Sequence, residues 1–267
     1  MIAVHLDKVT VTYVNAPIFA GLSWEIHDDR VVGLIGANGT GKSTLLKLIA
    51  GDLTTESGFL NRKSGLTVGV LRQEPKLNPD YTLLEEALSA STKLTEVNAA
   101  LAQVEASLGD PDVYGDEKKL ARALDRQTHL LEAFAALGGH NYESRVRSTL
   151  VSLGFDEGQF ALPVTVLSGG QKKLVGLAKL MVTQPDLLLL DEPDNHLDIV
   201  GKDFLARFIR AYKGAVVIIS HDRYLLDLVV DEIAELEDGK LSMFPGTYSE
   251  YAFEKQARLL RQQQLFQ

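Results

Sequence analysis

The chain has 267 residues, 45% of them hydrophobic and 24% charged, and a formal net charge of −9 at pH 7. This size allows one large domain or a two-lobed one, and the acidic balance argues against a globally basic nucleic-acid binder. The absence of cysteine excludes disulfides and thiolate metal sites, and no apolar run approaches the roughly 20 residues of a membrane-spanning helix, so we expect a cytoplasmic protein with no direct membrane insertion.

The first part of the chain predicts the order strand, loop, helix. Apolar side chains alternate at Val9, Val11 and Tyr13, and a short apolar run follows at residues 31–35, as in β-strands. A glycine-rich turn then leads into a helical pattern of leucines that Gly51 closes.

Residues 36–43, GANGTGKS, match the phosphate-loop pattern G-x-x-x-x-G-K-[ST]. A glycine-rich loop lets successive backbone N–H groups converge on phosphate oxygens, and the N-terminus of the following helix adds its positive end. We therefore predict that ATP binds here, with Lys42 at the β- and γ-phosphates and the Ser43 hydroxyl on Mg²⁺. The predicted nucleotide-binding residues of this segment are Gly36, Asn38, Gly39, Thr40, Gly41, Lys42, Ser43 and Thr44.

Residues 93–138 show a different, coiled-coil-like period. Apolar residues step by three and four from Leu94 to Leu108, GDPDVYGDE at 109–117 interrupts them, and Leu120, Leu124, Leu131 and Phe134 resume the pattern. This pattern predicts two antiparallel helices in a hairpin, which is either part of an ordinary helical subdomain or a protruding functional arm.

Two further chemical motifs follow, LSGGQ and the pair of acids at 191 and 192. LSGGQ at 167–171 precedes a helical run, so Ser168, Gly169, Gly170 and Gln171 are predicted to present donors to an anion at a helix N-terminus. The continuous apolar runs 187–190 and 216–219 predict strands buried on both faces of a mainly parallel sheet. In a fold with a phosphate loop, Asp191 after the first run is expected to hold Mg²⁺, and Glu192 to orient or deprotonate the attacking water.

Together, these motifs resemble the ATP-binding cassette superfamily, the ABC ATPases, over essentially the whole chain. The resemblance implies an α/β P-loop fold with a RecA-like, mainly parallel sheet core, an antiparallel β lobe and an α-helical subdomain that carries a helical-hairpin arm. It also implies that LSGGQ of one cassette closes over the ATP on the phosphate loop of a second cassette, so that hydrolysis requires two cassettes.

The family pattern assigns roles to further positions. Tyr13 resembles the aromatic residue that stacks on adenine, although a tyrosine in a strand could equally be a core residue. Gln73 resembles the glutamine that approaches Mg²⁺ and the water, and His221 resembles the histidine that contacts the γ-phosphate. The resulting predicted catalytic residues are Lys42, Gln73, Glu192 and His221, and the predicted metal ligands are Ser43, Gln73 and Asp191.

The segment Asn195-His196-Leu197-Asp198 resembles the F subfamily, which lacks membrane domains, whereas transporter cassettes commonly carry a version of the type Ser-Ala-Leu-Asp. Asp194 stands where that subfamily usually has threonine, so the match is imperfect. The resemblance implies a cassette at 1–253, with the helical subdomain and arm within about 80–170, and the start of a helical linker at 254–267. We expect the chain to be the amino-terminal cassette of a longer protein.

Three functions follow as hypotheses. The first is a translation factor or antibiotic-resistance protein that uses Mg-ATP to close with a second cassette and acts on the ribosome, including its RNA. The second is the nucleotide-binding subunit of a membrane transporter, and the third is a binding protein that uses ATP as a clamp. The Asn195-His196 motif and the linker-like carboxyl end favour the first. The basic residues Lys255, Arg258 and Arg261 mark either an RNA-facing linker or a solvated helix.

Overall fold

The computed structural model describes residues 1–13 and 16–265. The strands are β1 Ile2–Tyr13, β2 Ala16–His27, β3 Val31–Ile35, β4 Ser57–Arg62, β5 Val68–Leu71, β6 Leu187–Asp191, β7 Ala215–Ile219, β8 Glu232–Glu237 and β9 Lys240–Pro245. The α-helices are α1 Lys42–Ala50, α2 Leu83–Leu88, α3 Thr92–Leu108, α4 Pro111–Tyr114, α5 Glu117–Ala136, α6 Tyr142–Ser152, α7 Gly169–Thr183, α8 Ile199–Ala211, α9 Arg223–Val229 and α10 Tyr248–Leu265. The contacts divide the chain into two compact units, Met1–Pro75 with Gln184–Gln267, and Lys76–Thr183.

A six-stranded sheet organises the first unit, in the order β5-β6-β7-β3-β8-β9. Its first five strands run parallel, and β9 pairs antiparallel with β8. The strands β6 and β7 are buried on both faces, as their continuous apolar sequences predict. Because the carboxyl ends of parallel strands meet at one edge, the segments that follow β3, β6 and β7 are brought to the same edge of the sheet.

A three-stranded antiparallel sheet, in the order β2-β1-β4, shares its core with the large sheet. The buried residues Phe19 and Trp24 of this sheet join a cluster with Leu34 of β3 and with Leu45 and Ile49 of α1. Each such large apolar side chain contributes about 1.5–3 kcal/mol when it is fully buried. The helix α1 is therefore fixed by its apolar face, and its first residue, Lys42, follows the six-residue loop that leaves β3.

The second unit contains the predicted helical hairpin. Helices α3 and α5 pack against each other, and the single-turn helix α4 lies between them in sequence. Asp110 caps α4 by accepting a hydrogen bond from the N–H of Asp112, and Pro111 opens the turn, so the predicted break contains one helical turn.

The apolar stripe of α5 differs from the sequence-based expectation. Leu94, Leu101 and Val104 of α3 are buried as predicted. Of the four residues that resume the apolar pattern, Leu120 and Phe134 are partly buried, whereas Leu124 and Leu131 are 47% and 46% exposed. The partly buried positions of α5 lie on the neighbouring stripe, at residues 120, 123, 127, 130, 133 and 134. The pattern from Leu120 to Phe134 therefore includes residues from two neighbouring stripes of α5, only one of which is partly buried.

The helix α10 is attached to β8 through the buried side chain of Glu235. The side chain of Glu235 on β8 is 9% exposed, accepts a hydrogen bond of 2.6 Å from the Tyr251 hydroxyl and pairs with Nζ of Lys255. The hydrogen bond to Glu235 raises the pKa of Lys255, and burial raises the pKa of Tyr251. A buried carboxylate needs such partners, because its desolvation is otherwise uncompensated.

We expect Lys255→Met to lower the free energy of unfolding by about 1–3 kcal/mol, since it leaves Glu235 with fewer donors. Chemical denaturation at pH 7 measures this difference, and Lys213→Met, at an exposed position, is the control. Because the folded-state pKa of Lys255 is raised, its contribution is fully present below the unfolded pKa of about 10.4 and is lost as the pH rises through the folded value. Equal losses for both variants at pH 7 would show that the ion pair contributes nothing.

Candidate functional site

The phosphate-loop segment lies between the end of β3 and the start of α1, as the motif predicts. Gly36, Gly39 and Gly41 have φ values of 150°, 84° and 100°, which side chains other than glycine rarely adopt. A Cβ atom at Gly36 would also collide with the backbone carbonyl of Leu236 on β8. The loop therefore needs glycine at this position both for its own turn and for its contact with the neighbouring strand.

Lys42 is the buried cation of this loop. Lys42 is 8% exposed, and its Nζ donates hydrogen bonds of 2.8 and 3.0 Å to the carbonyl oxygens of Gly36 and Ala37. Burial lowers the pKa of Lys42, while the charges of Glu192 and Asp191 act in the opposite direction. The ammonium group is thus held in a poorly hydrated place, where an electrostatic contact with an anion is stronger than in water.

Two clefts give access to the loop. One, of about 450 Å³, is lined by Gly36, Lys42 and His221 among others, so it brings the loop and the predicted histidine together. The other, of about 770 Å³, is lined by Asn38, Gly39 and Thr40 together with residues of β2. Ser43 and Thr44 lie in the first turn of α1 and are partly exposed. The side chain of Tyr13, predicted to stack on adenine, lies outside the described part of the structure.

The paired acids lie at the carboxyl end of β6. Asp191 ends this strand beside Ile219 of β7, and the N–H of Glu192 donates a 2.8 Å hydrogen bond to the Ile219 carbonyl. Glu192 has a φ of 49°, in the left-handed region that costs a non-glycine residue about 1–3 kcal/mol. This conformation turns the chain sharply after Asp191, so that the two acids do not continue the alternation of the strand.

The side chains of Gln73, Asn195 and His221 surround the Glu192 carboxylate, which is 18% exposed. Nε2 of Gln73 donates to Oε2 of Glu192 at 2.8 Å, and Nδ2 of Asn195 donates to the same oxygen at 2.5 Å. Nε2 of His221 lies 3.5 Å from Oε1. The structure thus brings together the predicted residues Gln73, Glu192 and His221, which are far apart in sequence.

Asn195 is the residue of this group that the sequence analysis missed as a functional one. The sequence analysis used Asn195 only as evidence for the F subfamily. The available signal was its position three residues after Glu192, because a short amide at that distance can reach back across a turn.

The predicted metal ligands match the chemistry of Mg²⁺. Among the described residues, no three His, Cys, Asp or Glu side chains form a metal site by themselves. Mg²⁺ is usually held by one or two carboxylates together with waters and substrate phosphates, and it takes oxygen ligands. The set offers the Ser43 hydroxyl, the Asp191 carboxylate and the amide oxygen of Gln73, whose nitrogen is turned toward Glu192. These donor types fit the ion.

The LSGGQ segment lies in the second unit and forms a capping box at the start of α7. The Ser168 hydroxyl oxygen accepts from the N–H of Gln171 at 3.2 Å, and the Gln171 side-chain oxygen accepts from the N–H of Ser168 at 2.9 Å. Ser168 and Gly169 are exposed, and Gly170 and Gln171 are partly exposed. The segment therefore presents a helix N-terminus to solvent, as an anion-contacting role requires.

The buried Asp194 lies in the segment between Glu192 and α8. Asp194 is 4% exposed, and its Oδ1 accepts no hydrogen bond within the described ranges. Lys202 of α8 pairs with Asp222 at 2.7 Å, which raises the pKa of Lys202, and the charge of Asp194 adds to that effect. Lys202 thus pairs with the acid directly after His221, and the charge of Asp194 acts on it as well. Asp198, in turn, caps α8 by accepting from the N–H of Gly201 at 2.7 Å.

The sequence of this chain is similar to those of known proteins. Residues 19–195 match the family described as ABC transporter. The chain is 35% identical over 258 residues to the putative ATP-binding protein YdiF of Bacillus subtilis, covering 97% of this chain and 40% of that protein. It is 38% identical over 246 residues to the energy-dependent translational throttle protein EttA of Haemophilus influenzae, covering 92% of this chain and 43% of that protein. The chain thus spans about two fifths of the length of these relatives.

A solved structure, that of an ATP-binding subunit of an ABC transporter, has the same fold. Its TM-score is 0.66 at 19% identity, covering 91% of this chain and 90% of the other. Within the described residues, no helix combines the length and the apolar character that crossing a membrane requires.

Proposed function

The chain belongs to the ABC transporter family as an F-type ATP-binding cassette, and on this basis we propose that it binds and hydrolyses ATP with Mg²⁺ as one of two cassettes that close on each other. The observation that carries the proposal is the convergence of Gln73 and His221 on the Glu192 carboxylate. A carboxylate held in this way is a suitable general base for water.

The proposed mechanism assigns one task to each group of this chain. The backbone N–H groups of the loop and the ammonium of Lys42 bind the phosphates, with Lys42 exchanging its bonds to loop carbonyls for phosphate oxygens. Glu192 orients the attacking water and accepts its proton, and His221 contacts the γ-phosphate. When bound, Mg²⁺ supplies positive charge that offsets the charge on the phosphate oxygens. Gln73 holds Glu192 through its amide nitrogen, and its amide oxygen would be available to hold the ion.

The second cassette completes the site in this proposal. Its LSGGQ segment would add backbone donors to the γ-phosphate, as Ser168–Gln171 of this chain would do in return. The exposed Ile199 and Val200, directly after Asp198, support a contact surface here, since they are 85% and 72% exposed. We further propose that residues 1–253 form the cassette and that 254–267 begin a linker.

The proposed site of action is the ribosome, in the cytoplasm. The support is the similarity to EttA, whose name describes a translational throttle protein. The α3–α5 hairpin is the proposed contact arm. The linker offers less free basic surface than the sequence suggests, because Lys255 pairs with Glu235, and Arg258 pairs with Glu254 and lies over the Phe244 ring. The likeness to a transporter subunit concerns the fold alone, so it gives the transporter alternative no added weight.

Ribosome co-sedimentation tests the proposed partner. We expect the complete gene product carrying Glu192→Gln, with the equivalent glutamate of any second cassette also changed, to pellet with ribosomes only when Mg-ATP is present. The matched control adds Lys42→Ala to the same protein and is expected to stay in the supernatant. If ATP binds but the protein never pellets, the ribosome is the wrong partner, and the transporter role becomes the next hypothesis.

A further inference from the structure

We propose that Asn195 is a positioning residue that fixes the Glu192 carboxylate for catalysis. The proposal rests on the proposed role of Glu192 as general base. Its first support is that Oε2 of Glu192 receives two amide donors, from Asn195 at 2.5 Å and from Gln73 at 2.8 Å. The partner of Oε1, at 3.5 Å, is a different side chain, His221. The two carboxylate oxygens therefore have different neighbours, which defines the rotation of the group.

The two donors to Oε2 are held in different ways. Gln73 comes from the segment after β5, more than a hundred residues before Glu192. Asn195 belongs to the same turn as Glu192, and its N–H donates to the Glu192 carbonyl at 3.3 Å. The next turn is closed by the N–H of Leu197, which donates to the carbonyl of the buried Asp194 at 3.1 Å. The backbone thus keeps Asn195 close to Glu192, independently of the position of the Gln73 side chain.

Because of this difference, we assign different roles to the amides of Gln73 and Asn195. Gln73 is also a proposed ligand of Mg²⁺, so its side chain serves two partners. Asn195 has a short side chain with few rotamers and lies beside Glu192 in the same turn. The terminal torsion of a glutamate is broad and roughly two-fold, so a carboxylate without a fixed donor samples many orientations. Asn195 is the donor that holds one of them.

The contact itself can be tested in the 267-residue chain without nucleotide. The side-chain NH₂ resonances of Asn195 are assigned in an amide NMR spectrum by their loss in Asn195→Asp. We expect Glu192→Gln to move them upfield, because a hydrogen bond to a carboxylate is stronger than one to a neutral amide. The NH₂ resonances of Asn61, on β4, are the control and should not move. If the Asn195 resonances stay in place, the proposed contact does not exist, whatever the ATPase activity of the chain.

The effect on turnover is tested by comparing Asn195→Ala and Asn195→Asp with the parent. Loss of a hydrogen bond to a charged group corresponds to a decrease in kcat of about ten- to a hundredfold for Asn195→Ala. We expect a larger decrease for Asn195→Asp, which places a second negative charge at Glu192. The Kd for ATP should stay within about twofold of the parent in both variants, because Asn195 acts on the carboxylate and not on the nucleotide. Reduced ATP affinity with unchanged kcat would overturn the positioning role.

A double-variant cycle separates this inference from the proposed function. In the Glu192→Gln background, Asn195→Ala should cause no further loss, since the group that it positions is already inactive. If the double variant loses turnover by the product of the two single losses, Asn195 has a structural role that is independent of Glu192, and the inference is overturned. If Glu192→Gln stalls turnover while Asn195→Ala keeps the parental rate, the inference fails and the proposed function stands. If Glu192→Gln keeps the parental rate, both fail.

Discussion

Replacing Lys42 with alanine is expected to abolish tight nucleotide binding, with an increase in the Kd for ATP of about thirtyfold or more. The loss of a desolvated charge contact costs about 2–5 kcal/mol, and about 1.4 kcal/mol corresponds to a factor of ten. Lys42 is buried, and burial lowers its pKa. Its Nζ donates hydrogen bonds to the carbonyl oxygens of Gly36 and Ala37. Its ammonium group therefore acts on phosphate oxygens where water screens little.

Titration with a fluorescent ATP analogue measures this change. Lys47→Ala is the matched control, because Lys47 lies on the same helix, is exposed and loses the same charge. We expect the control to bind like the parent and the melting temperature of Lys42→Ala to remain close to that of the parent. An unchanged affinity of Lys42→Ala would refute the assignment of residues 36–43 as the phosphate loop.

The Glu192→Gln variant is expected to keep its affinity for ATP and to lose hydrolysis by a factor of about 10²–10⁴, which is the usual contribution of a general base. Glutamine has nearly the shape of glutamate, and its side-chain oxygen can still accept a hydrogen bond from Gln73 or Asn195. It cannot accept the proton of the attacking water. The ATP-bound, closed pair of cassettes should therefore accumulate.

Phosphate release and size-exclusion chromatography with Mg-ATP measure both consequences. Glu237→Gln is the matched control, because Glu237 also lines the cleft beside the loop but has a side chain that is 65% exposed. This control should hydrolyse ATP at the parental rate. Parental turnover by Glu192→Gln would rule out this carboxylate as the general base.

Much of the fold could be predicted from local patterns. The runs at 187–190 and 216–219 predicted doubly buried parallel strands, because they are too short and too continuously apolar for amphipathic helices. The fold class and the recognition as an ABC cassette of the F type are confirmed by the family match and the relatives. The hairpin was also predicted correctly, but the exposed Leu124 and Leu131 were not. Helical spacing alone does not tell which of two adjacent apolar stripes faces the partner helix.

The candidate site could be predicted only in part. The phosphate-loop motif and the paired acids indicated Lys42 and Glu192, because their chemistry requires particular residue types at particular spacings, and the family resemblance indicated His221. The left-handed backbone of Glu192 and the amide of Asn195 on its carboxylate were not predicted, since both depend on the turn after β6. The pair of Glu235 and Lys255 was missed for a similar reason. This ion pair depends on the packing of α10 against β8, which cannot be predicted from a short sequence motif.

The attachment of α10 has a mechanical consequence. The strand β8 is in contact with two groups, the phosphate loop through Gly36 and Leu236, and α10 through Glu235, Tyr251 and Lys255. A helix rises about 1.5 Å per residue, so the 18 residues of α10 form a rod about 27 Å long. A tilt of about 5° at the base of such a rod moves its far end by roughly 2 Å. The anchor of α10 on Glu235 lies one residue from Leu236, the strand position next to Gly36 of the phosphate loop, so any tilt at this anchor would grow along the helix.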